Sequence, residues 1–104
     1  MWIFLADSFL SIVRKPGDAD VLTVRARIAG DIERVSPEAK VTAGGGTDYR
    51  FRARIPREAV AAAPAAQVMA LSASNFKASV RERSRHDAYM EVWDAMLRYQ
   101  QRTV

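Results

Sequence analysis

The spacing of apolar positions changes along the chain, and that change sorts the elements. Trp2 to Leu5 and Phe9 to Val13 are short runs of aromatic and aliphatic residues on either side of Ala6-Asp7-Ser8. Such runs around a tight turn predict two paired strands. In the first run Trp2 and Phe4 point one way and Ile3 and Leu5 the other. This predicts a strand covered on both faces, or one whose second face meets a partner. Pro16-Gly17-Asp18 marks a loop. Val21 to Ile28 then alternates strictly, with Leu22, Val24, Ala26 and Ile28 on one side and Thr23, Arg25 and Arg27 on the other. That is the pattern of a half-buried strand. Tyr49 to Ile55 repeats it, with Tyr49, Phe51, Ala53 and Ile55 opposed to Arg50, Arg52 and Arg54. Between these strands, Gly30 to Val35 predicts a short helix with acidic residues early and Arg34 late, limited by Pro37. Lys40 to Ala43 predicts a short strand, and Gly44-Gly45-Gly46 a hairpin turn.

From Pro56 onward the pattern becomes helical. Proline suits the first turn of a helix, and Arg57 to Leu71 is Ala-rich. Pro64 predicts a kink or division of that helix. Asn75 predicts the cap of a C-terminal helix reaching about Gln101, with a break near His86-Asp87. Phe76, Val80, Tyr89, Val92, Trp93, Met96 and Leu97 form an apolar stripe, which predicts packing against the sheet. Strands followed by helices predict one α+β domain over residues 1–104. The expected architecture is a mostly antiparallel sheet of four to five strands with two C-terminal helices on one face. A ferredoxin-like arrangement is one such form.

Composition narrows the chemistry. The 104 residues include no cysteine, which excludes disulfides, thiolate zinc sites and a cysteine nucleophile. The apolar start lacks a basic leading segment and is interrupted by Asp7 and Ser8, so it predicts folded structure and not a signal peptide. No run approaches the length of a membrane span. These features predict a cytoplasmic protein with no membrane partner. The formal net charge is +4, most of the basic residues being Arg. Arg suits phosphate and carboxylate recognition because its planar fork binds them bidentately.

The strongest candidate site is therefore electrostatic. Arg25 and Arg27 share one strand face, and Arg50, Arg52 and Arg54 share another. If the two strands are neighbours, five guanidinium groups crowd one surface, and like charges directly opposite each other destabilise a sheet. An acidic protein surface or a phosphate backbone relieves that crowding. Trp2, Phe4 or Tyr49 beside it can stack bases. Glu58, Glu82 or Glu91 reaching over from a helix would relieve it internally. Lys77, Arg81 and Arg85 recur every four residues and predict a second basic cluster on one helical face. Trp2, Phe4 and Trp93 are candidate interface aromatics, and Met90 and Met96 flank the last of these.

Catalytic signals are weak. His86 is the only histidine, and Asp87 beside it does not share its helical face. One His cannot supply a metal cluster. Asp31 with Glu33, and Asp18 with Asp20, sit in turn or helix-start contexts where acidic residues are common. Gly44-Gly45-Gly46 lacks the Lys-Ser/Thr of a phosphate-binding loop. No catalytic residue, cofactor or metal is expected.

The opening MWIF…SFLSIV, the central GDIERV and DYRFRARIP, and the closing NFKASV…HDAYMEVWDAM together resemble a family of small bacterial proteins of about this length with no assigned function. The resemblance spans nearly the whole chain and implies a stand-alone bacterial protein. It carries no catalytic residues across. The sequence thus predicts a non-enzymatic binding or regulatory protein acting through protein–protein contacts, self-association as a homodimer included, on an Arg-rich sheet face. Nucleic-acid binding by the same face is the alternative, and an enzyme built around His86 the third.

Overall fold

The computed structural model describes residues 1–44 and 48–103. The chain forms two compact units, Met1–Ser72 and Ala73–Val104. Of the expected Gly44-Gly45-Gly46 turn, Gly45 and Gly46 lie outside the described residues.

The first unit is a five-stranded antiparallel sheet with helices. Its strands are β1 (Trp2–Phe4), β2 (Phe9–Val13), β3 (Val21–Ala26), β4 (Thr42–Ala43) and β5 (Phe51–Pro56). They lie in the order β1-β2-β3-β5-β4, every neighbouring pair antiparallel. The first three strands form a meander. Helix α1 (Asp31–Val35) and strand β4 precede β5, and helix α2 (Arg57–Met69) follows it. This order is not the β-α-β-β-α-β of a ferredoxin-like fold, whose crossover helices join parallel strands.

One sheet face carries the core. Leu10, Ile12, Val24, Ala26, Ala53 and Ile55 are buried there with Ile32 of α1, and Val35 and Val60 of the two helices pack against them. The alternation in β3 and β5 puts these side chains on one side, and the helices cover them. Ile28, expected on this face, falls beyond the end of β3 and is exposed. Helix α2 runs through Pro64 as one element. A proline there removes one backbone hydrogen bond, and the surrounding alanines, the strongest helix formers, carry the helix across it.

The GDIERV segment has a structural task. Asp31 is fully buried; its Oδ2 accepts from the Phe9 N–H at 3.0 Å and its Oδ1 from Arg34 Nη1 at 3.0 Å. Arg34 Nη1 also donates to the Asp7 carbonyl at 3.1 Å. Asp31 and Arg34 thus clamp the turn between β1 and β2, which the Leu5 N–H closes on the Ser8 carbonyl at 2.7 Å. Gly30 precedes α1 with φ +94°, and the Arg34 guanidinium lies 3.5 Å from where a β-carbon would stand. The positive φ favours glycine at this position, while a β-carbon would meet Arg34 only at ordinary contact distance.

The second unit holds α3 (Phe76–Ser79) and α4 (Arg83–Arg102). Asn75 caps α3 as expected, its side chain accepting from the Lys77 and Ala78 N–H groups at 2.9 and 3.4 Å. The break falls at Val80–Glu82, earlier than His86-Asp87. Glu82 caps α4 by accepting from the Ser84 and Arg85 N–H groups. Those bonds, the Arg85 N–H first, hold its carboxyl below the usual range. Phe76 stacks on Tyr89 at 5.8 Å between ring centroids. The stripe expected to be core is not: only Val80 and Tyr89 of it are buried, while Phe76, Val92, Trp93 and Met96 are exposed. The periodicity identified the apolar face of the helix, but nothing in it specifies what covers that face.

Candidate functional site

The sheet face opposite the core carries the Arg residues. Strands β3 and β5 are neighbours, and Arg25 stands directly across from Arg52. The register places Trp2, Ser11, Arg25, Arg52 and Thr42 in one row across all five strands. Val13, Thr23 and Arg54 form the next row. Directly opposed residues have α-carbons about 5 Å apart, so the two arginine stems run side by side.

The protein organises these charges in three ways. Arg54 is held by Asp18: Nε donates to Oδ1 at 3.0 Å and Nη2 lies 3.0 Å from the same oxygen. Asp18 itself is buried and also accepts from the Lys15 N–H at 2.9 Å and the Thr23 hydroxyl at 3.0 Å. The Lys15 N–H foremost, with Thr23 and Arg54, holds its carboxyl below the usual aspartate value against the opposing effect of desolvation. Arg27 makes a two-pronged pair with exposed Asp48, at 3.2 and 3.3 Å. That pairing raises the guanidinium and lowers the carboxyl.

Arg25 is handled differently. Its Nη2 donates to the Ser11 hydroxyl at 2.7 Å and its Cζ lies 4.6 Å from the centre of the Tyr49 ring. The Arg27 Cζ lies 4.1 Å from the same ring. Arg25 Nε is buried without a hydrogen-bond partner among the described residues. Tyr49 therefore does not sit on the core face with Phe51, as alternation predicts. Residues 48–50 bend before β5 begins, and the ring turns beneath the two guanidinium groups. Only 5% of Tyr49 is exposed, so it anchors arginines and presents no face for stacking bases. Arg50 lies in the same bend, off the strand and exposed.

Beside Arg52 and Arg54 the face opens into a shallow basin between β4, β5 and the turn at Lys15 to Asp18. Lys15, Lys40, Arg52 and Arg54 line it with the hydroxyl-bearing Thr23 and Thr42, and Asp18 is its one carboxylate among the described residues. At the far end of the row Trp2 is 66% exposed, with Phe9 edge-on at 6.0 Å and Phe4 packed on Phe9 at 4.6 Å. Strand β1 is thus covered on its core side by Ile3 and open at Trp2 on the other.

The sequence had named Glu58, Glu82 and Glu91 as possible internal counter-ions, whereas the carboxylates that serve are Asp18 and Asp48. Each lies just upstream of an Arg-bearing strand, and that adjacency was the available signal. Lys15 and Lys40 were also missed, because isolated lysines in turns carry no periodicity.

The second basic cluster does not form one helical face. The break before α4 separates Lys77 from Arg85 and leaves Arg81 between the helices. Lys77 Nζ rests 4.7 Å from the Trp93 ring centre, and Arg85 Nη1 lies 3.4 Å from the Tyr89 hydroxyl. His86 Nδ1 approaches Asp87 Oδ1 to 3.6 Å, beyond hydrogen-bonding distance. Among the described residues no three His, Asp or Glu side chains gather as a metal site would require. Among them also, no helix is long and apolar enough to cross a membrane.

Comparison with known proteins finds no matching family model. No curated protein and no solved structure matches either.

Proposed function

We propose that this is a non-enzymatic binding protein that docks an acidic segment of a protein partner on the Arg-bearing face of its sheet. One observation carries the reading: Arg25 and Arg52 stand directly opposite each other on an exposed-side row. Like charges in that relation cost stability that smaller uncharged residues would not. Asp48 and Asp18 are engaged by Arg27 and Arg54. Lys15 and Lys40 add cationic charge beside Arg52. Carboxylates laid along this basin gain charge-assisted hydrogen bonds, and Trp2 supplies an apolar anchor at the other end of the row.

The test is capture from nuclease-treated lysate, with amine cross-linking at Lys15 and Lys40 to map the contact. The wild-type chain retains a discrete partner cross-linked at those lysines, and Arg25→Glu with Arg52→Glu loses it while keeping its circular dichroism. Cross-links elsewhere, or equal capture by the charge-reversed chain, overturn the reading.

A second reading rests on exposed Trp2 sharing a row with Arg25 and Arg52, the pairing of aromatic and cation that single-stranded nucleic acid uses. It expects a gel shift with oligonucleotides at low salt, falling steeply as salt rises. No shift at low salt removes it.

A further inference from the structure

The second unit presents a face that its own helices leave open. Tyr89, Val92, Trp93, Met96 and Tyr99 recur at helical spacing along α4 and make one stripe. Tyr89 is buried, but Val92, Trp93, Met96 and Tyr99 keep 39%, 46%, 59% and 54% of their surface. Asp87, Glu91, Asp94 and Arg98 project from the opposite side of the helix at 100° per residue. A helix gains most of its stability from packing its apolar face, and a unit below about 40 residues rarely stands alone. Among the described residues of the unit the buried apolar side chains are Val80 and Tyr89.

We propose that α4 is a homodimer interface, its stripe packed antiparallel against the same stripe of a second copy. Aromatic side chains contribute about 150–250 Å² each when buried, and Met and Val somewhat less. The open fractions therefore leave roughly 400 Å² of largely apolar surface in one band, the size of the largest patch on a typical monomer, which is often functional. Two such bands remove about 800 Å² before flanking side chains are counted, a large share of the roughly 1,200 Å² in a small specific interface.

The stripe is also self-complementary. An antiparallel pairing centred between Trp93 and Met96 sets each Trp93 against the other copy's Met96. Asp94, the charged residue of α4 between Val92 and Met96, lies outside the stripe on the outer charged face. Identical α4 helices therefore bring no like charges of their own into the seam; the Lys77 ammonium of α3 lies beside it, over the Trp93 ring. Thioether on indole is a favourable contact, and the arrangement is the isologous two-fold expected of a homodimer. The stripe belongs to the second unit and the Arg-bearing face to the first.

Sedimentation velocity on the full chain, from low micromolar to several hundred micromolar, tests this. The wild type passes from the mass of one chain to twice that mass. In a Trp2→Phe chain, Trp93 is the only tryptophan, and its emission shifts to the blue over the same concentration range. Met96→Glu keeps a strong helix former at an exposed position and places two carboxylates in the seam. It weakens dimerisation about tenfold or more with unchanged circular dichroism. Arg25→Glu with Arg52→Glu leaves the dimer intact. A wild type that stays monomeric throughout, a Trp93 emission that is blue-shifted at every concentration, or a dimer indifferent to Met96→Glu overturns the proposal.

Discussion

Tyr49 is the residue that makes the Arg-bearing face orderly, and Tyr49→Leu tests that. The ring lies within 6 Å of both guanidinium groups, at 4.6 Å from Arg25 and 4.1 Å from Arg27. Half-buried Arg25 places its contact near 1 kcal/mol, and the more exposed Arg27 places its own near 0.5 kcal/mol, so the two together stabilise by about 1.5 kcal/mol. Leucine keeps an apolar filling but removes the ring and some volume, adding about 1 kcal/mol. The expected cost of Tyr49→Leu is therefore about 2–3 kcal/mol, whereas Tyr49→Phe keeps both stacks and costs less than about 1 kcal/mol. Urea unfolding followed through Trp2 in a Trp93→Phe chain reads the sheet unit alone. At a typical slope near 1.5 kcal/mol per molar, the leucine and phenylalanine variants differ in midpoint by about 1 M. In an Arg25→Gln, Arg27→Gln background that difference collapses. A gap below about 0.3 M, or one that survives loss of the arginines, refutes the reasoning. In the capture assay, Tyr49→Leu weakens binding without removing a charge, because the guanidinium groups lose their platform.

Asp31→Asn leaves an acceptor for the Phe9 N–H but turns an N–H group toward Arg34, and costs about 1–2 kcal/mol after allowance for the half-exposed guanidinium; urea unfolding measures it, and a loss under about 0.5 kcal/mol contradicts the clamp. Acid titration should find stability nearly flat from neutral pH to about pH 4, then falling, because Asp18 and Asp48 have folded values below their unfolded ones and protect only while ionised. Asp18→Asn flattens that low-pH limb, and an unchanged limb in the variant contradicts the role given to this carboxylate.

Much of the sheet was legible because alternation is a local signal. Leu22, Val24 and Ala26 against Thr23 and Arg25 fixed both faces of β3, and Phe51, Ala53 and Ile55 against Arg52 and Arg54 did the same for β5. Adjacency of these two strands was not legible, since pairing depends on what the intervening helix and short strand allow. Tyr49 was misplaced because alternation was extended one bend too far. Pro64 was read as a kink or division of the helix, and it does not divide it, because its cost is local while the alanines that offset it act over the whole helix. The stripe on α4 was identified by residue but assigned to the core, because amphipathicity records a need for cover and not its source. At the candidate site, Arg25 and Arg52 were visible from strand pattern alone. Asp18, Lys15 and Lys40 reach it from turns, where no period betrays the direction of a side chain.

The opposition of Arg25 and Arg52 has a consequence for anyone selecting hardier variants. Exchanging Arg52 for threonine removes the repulsion and installs a good strand former, worth a few tenths of a kcal/mol to about 1 kcal/mol before the contacts of Arg52 itself are counted, whereas exchanging Arg25 also gives up its Ser11 bond and Tyr49 stack. A heat-challenge library scored on survival would enrich such changes early and return a sturdier protein deaf to its acidic partner. Position 52 is therefore the one to hold fixed while the rest of the chain is varied.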